Sequence, residues 1–414
     1  MRRASAYPSR PVPLWRNSDY LLLRGGQGVS NFGSAVQGVV TPLLILAISH
    51  SPAQAGIAAA LSSLPFFLLS LPAGALVDRW DRKRVMIVCD LSRTVATASI
   101  PIALWSGHLT VPLLYVVSGI SGTFFVFFNL AETSCLPRVV TKEQLPPATS
   151  HNEAVDYASF ILGRPAGGFL YQTIVHAAPF LANAVSFAVS AVLLLFIRTR
   201  FQEDRIPAPR DLRAEITEGL RWLWNQPLIR FMAFLNGSQN LLYSGIGLVI
   251  IVLAQEEGAS PTTIGIVFAV ASIGGLAGAV LAPAVPRRWS FAQAVIGLLA
   301  FQAMLLPLLL VVKQPLLLGV VYAAQLAVSP MYNVVQFSYR LALIPDTLQG
   351  RVNSAFRLIA FSFNPLGAAL SGLLLETVGP GRTVAFLSVW MATLALASVS
   401  NLHVRNAPPL SRTS

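Results

Sequence analysis

"PAGALVDRWDRKRV", residues Pro72 to Val85, sets Asp78, Arg79, Asp81, Arg82, Lys83 and Arg84 within seven positions of a 414-residue chain that is only 11% charged. In water such a cluster would be a solvated corner. Its flanks, however, nearly lack charge: "GIAAALSSLPFFLLSLPAGAL" (Gly56 to Leu76) runs into it, and similar runs such as "PFLANAVSFAVSAVLLLFI" (Pro179 to Ile197) recur along the chain. Each is long enough, as helix, to cross about 30 Å of hydrocarbon. Hydrophobic residues make up 54% of the chain and mean hydropathy is +0.64, more apolar helix than one soluble core can hide. Gly and Pro are scattered through the runs, where Gly permits close helix contact and Pro is tolerated. The fold class is therefore an all-α integral membrane protein.

Twelve spans are predicted, near 20–47, 54–76, 85–106, 110–132, 150–174, 178–197, 228–254, 262–285, 290–311, 315–338, 352–375 and 381–401. The first follows Arg2, Arg3, Arg10 and Arg16, carries Arg24 and lacks a small-residue cleavage site, so it reads as a retained span. Lys and Arg number 22 in the two tails and alternate loops, against only Lys313 and Arg382 in the opposite loops. By the positive-inside bias both termini are cytoplasmic. The net charge of +12 is thus a sorted charge facing anionic lipid headgroups, not a nucleic-acid surface.

The expected organisation is a tail (1–19), a six-helix bundle (20–197), a cytoplasmic linker (198–227), a second bundle (228–401) and a tail (402–414). In the linker, Leu212, Ile216, Leu220 and Leu223 recur at helical spacing, which predicts an amphipathic interfacial helix anchored by Trp222 and Trp224. The bundles echo each other. "FILGRPAGGFL" and "FSFNPLGAALSG" set Pro165 and Gly167 opposite Pro365 and Gly367, while Gly74 matches Gly278. Such duplicated bundles commonly rock about a central site.

The loop "GALVDRWDRKR" resembles the signature between the second and third helices of the major facilitator superfamily, on Gly74, Asp78, Arg79, Arg82 and Lys83, with Asp81 where that family usually has Gly. "NSDYLLLRGGQGVSNFG", "DLSRT", "GRPAGGFL" and "GRVNSAF" are similar to the bacterial branch holding the enterobactin exporter and related drug-efflux permeases. The resemblance implies a cytoplasmic latch in which Asp78 docks on the start of helix 11, with Arg79 and the helix-3 pair Asp90 and Arg93 taking part, and Gly74 admits a neighbouring backbone. The bland alternative is that the basic residues only set topology. Where the second bundle would repeat the acid it has Ala282, then Pro286, Arg287 and Arg288, so the latch is expected once. "GRPAGGFL" resembles the helix-5 element of drug-proton antiporters, on Gly163, Arg164, Pro165, Gly167 and Gly168, and implies a bent, tightly packed helix.

Ionisable residues inside spans need a reason. Asp19, Arg24, Glu132, Asp156 and Arg357 are the proton-coupling candidates, with structural pairing as the alternative for each. Family helices 1, 4, 7 and 10 imply a substrate cavity drawn from Gln27, Asn31, Gln37, Phe124, Phe128, Asn129, Asn236, Gln239, Asn240, Tyr243, Gln325, Tyr332, Asn333 and Gln336; helix–helix hydrogen bonding is the alternative. An amide and aromatic lining suits a moderately apolar molecule rather than a sugar phosphate.

There is no Walker loop and no His- or Cys-rich metal spacing, and Cys89 and Cys135 lie far apart. No cofactor, no metal and no enzymatic activity are expected. The reading is a monomeric, multi-pass protein of the bacterial cell membrane (the inner one where there are two), exporting a small organic molecule, drug-like or a siderophore, against protons. Uptake of a solute by proton symport on the same body is the alternative.

Single cysteines at Glu257 and Gly379 are expected to react with an impermeant thiol reagent from outside the cell, and those at Arg205 and Ser411 only from the cytoplasm. Outside labelling of Arg205→Cys in intact spheroplasts would reverse the orientation.

Overall fold

A computed structural model describes residues 13–201, 212–345 and 348–407, without the side chains of Leu71, Asp78, Lys142, Pro146 and residues 212–215. The α-helices are α1 (Ser18–Ser49), α2 (Pro52–Arg79), α3 (Arg82–Trp105), α4 (Val111–Val139), α5 (Leu145–Thr173), α6 (Ala178–Phe196), α7 (Leu212–Asn225), α8 (Pro227–Glu256), α9 (Pro261–Leu281), α10 (Val285–Arg288), α11 (Phe291–Leu305), α12 (Leu308–Val311), α13 (Pro315–Leu343), α14 (Gln349–Ser400) and α15 (Leu402–Arg405). Helix is the form that satisfies every backbone polar group within one segment in lipid. Its starts are written in the sequence. Ser51 caps α2 and Ser260 caps α9, each followed by Pro at the first turn. Asp81 caps α3, accepting from the Arg84 N–H at 3.0 Å, which gives the acid in the signature loop a local job.

Among the described residues, ten helical segments are long and apolar enough to cross a membrane, so the chain is an all-α, many-pass integral membrane protein. The last, α14, is 52 residues long and is interrupted at Gly379, whose φ of 81° and ψ of 168° only glycine adopts readily. The 29-residue α5 carries Glu153, Asp156 and Arg164 and falls outside the ten.

Within the first group of helices, α1 packs on α5 and α6, α2 on α4, and α3 on α4 and α6. In the second, α8 packs on α14, α9 on α13, and α11 on both α13 and α14. The groups meet along two seams, α2 on α14 and α5 on α9. Glycine makes these approaches close. A Cβ at Gly167 would strike the backbone of Val36 on α1, and one at Gly367 the backbone of Leu241 on α8. The echoed residues therefore hold equivalent crossings in the two groups. At the seams, Gly56 of α2 faces Gly372 of α14, and Gly265 of α9 faces the backbone of Arg164 and Pro165.

The other echo divides. Gly278 is pressed against Ala327 of α13, but nothing lies within 4 Å of a Cβ at Gly74. The expectation that Gly74 admits a neighbouring backbone fails in this conformation, because the face of α2 that carries it meets no other described residue, although Ala73 and Val77 beside it are buried. Arg340, counted with the loop charges, lies inside α13 and is buried. The amphipathic α7 is present, with Leu223 fully buried and Trp222 packed against the core, so that only Trp224 is left exposed as an anchor.

Gly74→Ala is expected to leave thermal stability in detergent within about 0.5 kcal/mol. Gly167→Ala, whose Cβ meets backbone rather than a yielding side chain, is expected to cost about 1–3 kcal/mol. Equal melting temperatures for the two variants would contradict the packing described.

Candidate functional site

Between the two helix groups lies a cavity of about 630 Å³. Its wall combines rings (Phe66, Phe125, Phe187, Phe268, Phe361) with hydroxyls (Ser34, Ser62, Ser63, Ser118, Ser121, Ser244), two asparagines (Asn183, Asn364) and one guanidinium, Arg93. Phe66 of α2 and Phe361 of α14 meet edge to face at 5.4 Å, bridging the groups. A smaller recess of about 370 Å³ shares Ser62, Ser63, Ser244 and Asn364 and adds Asn240 and Tyr243.

Of the residues expected to line the cavity, Gln37 is on the main wall, where its Oε1 accepts from Asn183 at 2.5 Å, and Asn240 and Tyr243 face the recess. The rest lie elsewhere. In the second group they mostly satisfy one another: Asn240 donates to Asn236 at 3.1 Å and to the Ala360 carbonyl at 2.9 Å, Asn236 donates to Gln336, and Gln336 to Tyr332. Gln302 joins Tyr243 to Gln325, and Gln239 is buried. Amides in hydrocarbon each need a partner, and of these Gln239 Nε2 and Gln302 Oε1 are left without one. Asn333 is exposed. In the first group Phe128 is buried against the second core cluster, Phe124 packs on it, Asn129 receives the Thr133 hydroxyl on its carbonyl, and Gln27 is buried. The serines that do face the cavity carry no signal in a hydropathy profile, which is why sequence alone passed over them.

The titratable candidates separate. Arg24 of α1 pairs with Asp156 of α5 at 2.6 Å and also donates to the Asn152 carbonyl, and Asn31 donates to the same Asp156 oxygen at 2.7 Å. Glu132 of α4 lies within electrostatic reach of Asp156, Arg24 and Asp90. Arg24, Asn31 and Asp156 thus make one hydrogen-bonded polar site across α1 and α5, with Glu132 of α4 within electrostatic reach of it. Asp19 is not part of it. It accepts from the backbone of Arg198 and Thr199 and from the Thr199 hydroxyl, which ties the start of α1 to the chain leaving α6. Arg357 is exposed, 6.0 Å from the Phe361 ring.

The latch residues also divide. The side chain of Asp78 lies outside the described residues, and Arg79 is exposed. Arg82 donates to the Ser134 and Phe201 carbonyls at 3.3 Å, and Lys83 to those of Leu195 and Ile197 at 3.0 and 2.7 Å. Both cations therefore cap carbonyls at or near the ends of α4 and α6, which attract positive charge. Asp90 and Arg93 are buried in the first group, 3.7 Å apart, with the guanidinium 3.8 Å from the Phe187 ring. The start of α14, where Asp78 was expected to dock, is held here by α7 through the Arg351–Glu218 ion pair.

On α5, Gly163 lies under the α1 backbone at Phe32 to Val36 and Gly168 against Pro261. Pro165 and Gly167 keep the same helix tight between α1 and α9. Arg164 crosses the seam, donating to the Ser272 hydroxyl at 2.9 Å and the Phe268 carbonyl at 3.3 Å. Sequence reasoning missed two more crossings. Glu376 of α14 accepts from the Ser51 hydroxyl and, at 3.0 Å, from the Ala53 N–H, so a carboxylate sits on the N-terminus of α2. Gln172 of α5 accepts from the Thr262 N–H at 3.2 Å on the N-terminus of α9. Both close the same end of the cavity.

The sequence profile of the Major Facilitator Superfamily matches residues 25–368. The chain is 30% identical over 381 residues to the multidrug efflux pump Tap of Mycolicibacterium fortuitum, covering 89% of this chain and 91% of that protein. It is 24% identical to macrolide efflux protein A of Streptococcus pyogenes over 208 residues, 50% of this chain and 51% of that one. Among solved structures it is similar in fold to the nucleoside transporter NupG (TM-score 0.70, 14% identity, 93% of this chain and 98% of that one). A bacterial homologue of the iron transporter ferroportin in an inward-facing state is also similar (TM-score 0.71, 18% identity, 94% and 99%).

Loss of the crossing at Glu376 should loosen the closed end. Glu376→Ala is expected to speed labelling of a Ser63→Cys probe from that end several-fold, Glu376→Gln less, because the amide still accepts a hydrogen bond. Unchanged labelling would mean that the glycine seams alone hold it shut.

Proposed function

The chain belongs to the Major Facilitator Superfamily, and from that premise we propose that it exports a small organic molecule, drug-like in character, against an inward flow of protons. It is a secondary active transporter and a multi-pass protein of a bacterial membrane, related to efflux pumps. The observation that carries the finer reading is the cavity itself: a space between two helix groups, closed at one end, walled by rings and hydroxyls, and large enough for a drug-sized molecule. The printed activities of the relatives, multidrug and macrolide efflux, support the outward direction.

We read twelve spans in two six-helix bundles, taking α5 as a span, dividing α14 at Gly379 and counting the α11–α12 segment as one. With the charged loops in the cytoplasm, the closed end at Ser51 and Glu376 is the outer one, and this conformation is open inward. The signature loop would then engage in the opposite state, with Asp78 meeting the α14 N-terminus once α7 yields it. Arg24, Asn31, Glu132 and Asp156 are the proton site in this reading. A carboxylate already paired with Arg24 can exchange that partner for a proton as the neighbouring helices shift, and Glu132 offers a second acceptor close by.

Protein in sealed vesicles is expected to move a drug-like compound outward, and a protonophore to abolish the movement; uphill inward accumulation would overturn the direction. Asp156→Asn is expected to reduce proton-driven transport about tenfold or more while substrate exchange without a gradient continues. Equal loss of both would make Asp156 a structural residue.

A further inference from the structure

Arg93 does two things that a purely structural arginine does not need to do. It is 7% exposed, in the middle of α3 and far from either end of the helix, yet it is the one charged side chain on the wall of the main cavity. Its partner, Asp90, is one turn away and fully buried, and the pair sits at 3.7 Å, longer than a charge-assisted hydrogen bond. Asp90 faces Ser190 of α6, but no hydrogen bond of good geometry reaches either of its oxygens. The Nε of Arg93 and the hydroxyl of Thr97, one turn further along, also lack partners. A buried ion pair kept for stability alone would have its lone pairs and N–H groups filled, since incomplete pairing is what makes such pairs costly.

The surroundings decide what would fill them. Arg93 lies 3.8 Å from the Phe187 ring, with Phe125 at 5.9 Å and Phe128 at 6.0 Å, and Phe125 and Phe187 are cavity residues as well. The rings hold the guanidinium by cation–π attraction, and its Nε–H is left without a partner. The charged group beside Arg93 is Asp90 on α3, and Glu132 of α4 lies within electrostatic reach of Asp90, both carboxylates. Neither is on the wall, nor is any other carboxylate among the described residues lining it. A ligand in this cavity therefore meets positive charge first, beside flat apolar faces.

We propose that Arg93 is the recognition cation of the cavity, binding a carboxylate or similarly acidic group on an aromatic ligand, with Asp90 as the internal counter-charge that holds the arginine in a fixed place when no ligand is present. The preferred substrates are thus aromatic acids and zwitterions that offer an acidic group, not permanent cations. This rests on the reading of the cavity as the substrate site, but not on the direction of transport or on coupling to protons.

Equilibrium binding to the purified full-length protein in detergent tests it without transport, using fluorescein, an aromatic carboxylate, against its methyl ester. Wild type is expected to bind fluorescein about tenfold or more tightly than the ester, as one charge-assisted contact allows. Arg93→Gln is expected to bring the ratio near one by weakening fluorescein and sparing the ester, and Arg93→Lys to keep part of it. Asp90→Asn, which removes the competing anion, is expected to raise the ratio. Should Arg93→Gln not fold, the wild-type ratio and the direction of the Asp90→Asn change still decide. Equal affinities in wild type, a ratio that survives Arg93→Gln, a ratio lowered by Asp90→Asn or binding of neither probe overturns the proposal. A preserved ratio in a protein that accumulates solute inward would leave it standing and sink the export reading instead.

Discussion

A charged group within about 30 Å of hydrocarbon has to be answered by something close at hand, and that requirement sorts the interior cations of this chain. Arg24 finds Asp156 and a backbone carbonyl, Arg164 finds the hydroxyl and carbonyl of the helix across the seam, and Arg340 finds Asn353 at 2.7 Å and the face of Phe356 at 3.8 Å. Arg82 and Lys83 find spare carbonyls near helix ends. Most of these answers lie on another element, while Arg93 meets Asp90 on its own helix and the Phe187 ring on α6. The cations consequently tie helices together, and the apolar packing around them, being non-directional, takes up the geometry that the ties impose.

The amides follow the same rule with a different result. Most of those on α8, α11 and α13 satisfy one another, and a side chain so occupied has little left for a ligand. This is why a cavity inferred from amide-rich segments fell mostly inside one helix group, while the real wall is made by serine and phenylalanine. Serine can return its hydroxyl to its own helix, as Ser62 does to Ala59 at 2.7 Å, and so sits beside a space at small cost.

What could be read from the residues was whatever depends on length, hydropathy and local chemistry. The many-pass all-α class follows from the apolar runs, the Pro165/Gly167 and Pro365/Gly367 echo marks equivalent crossings, and a helix, α7, lies over the leucine-spaced stretch. What could not be read depends on pairs distant in the chain. Asp19 gave no sign that it would bind the backbone at Arg198 and Thr199, about 180 residues on, and nothing local to Glu376 pointed to its partner at Ser51. Gly74 failed for a related reason: a glycine declares that a close approach is possible, while the conformation decides whether one is made.

The two ends of the cavity are consequently held by forces of different kinds. At the closed end, backbone is laid against glycine, and a carboxylate on α14 and an amide on α5 receive N–H groups at the starts of α2 and α9. The two crossings are equivalent in position but unequal in charge, since Glu376 brings a full negative charge to a helix N-terminus and Gln172 only a dipole. In the sequence the signature loop of the first group carries Asp78 and Asp81, while the corresponding stretch of the second group reads Pro286, Arg287 and Arg288. On the latch proposed above, a rocking motion would trade a charged and a neutral crossing for one made by the signature loop. Interactions made in only one of two states shift the balance between them. The unequal ends thus leave the choice of state to whatever occupies the cavity and the carboxylates beside it.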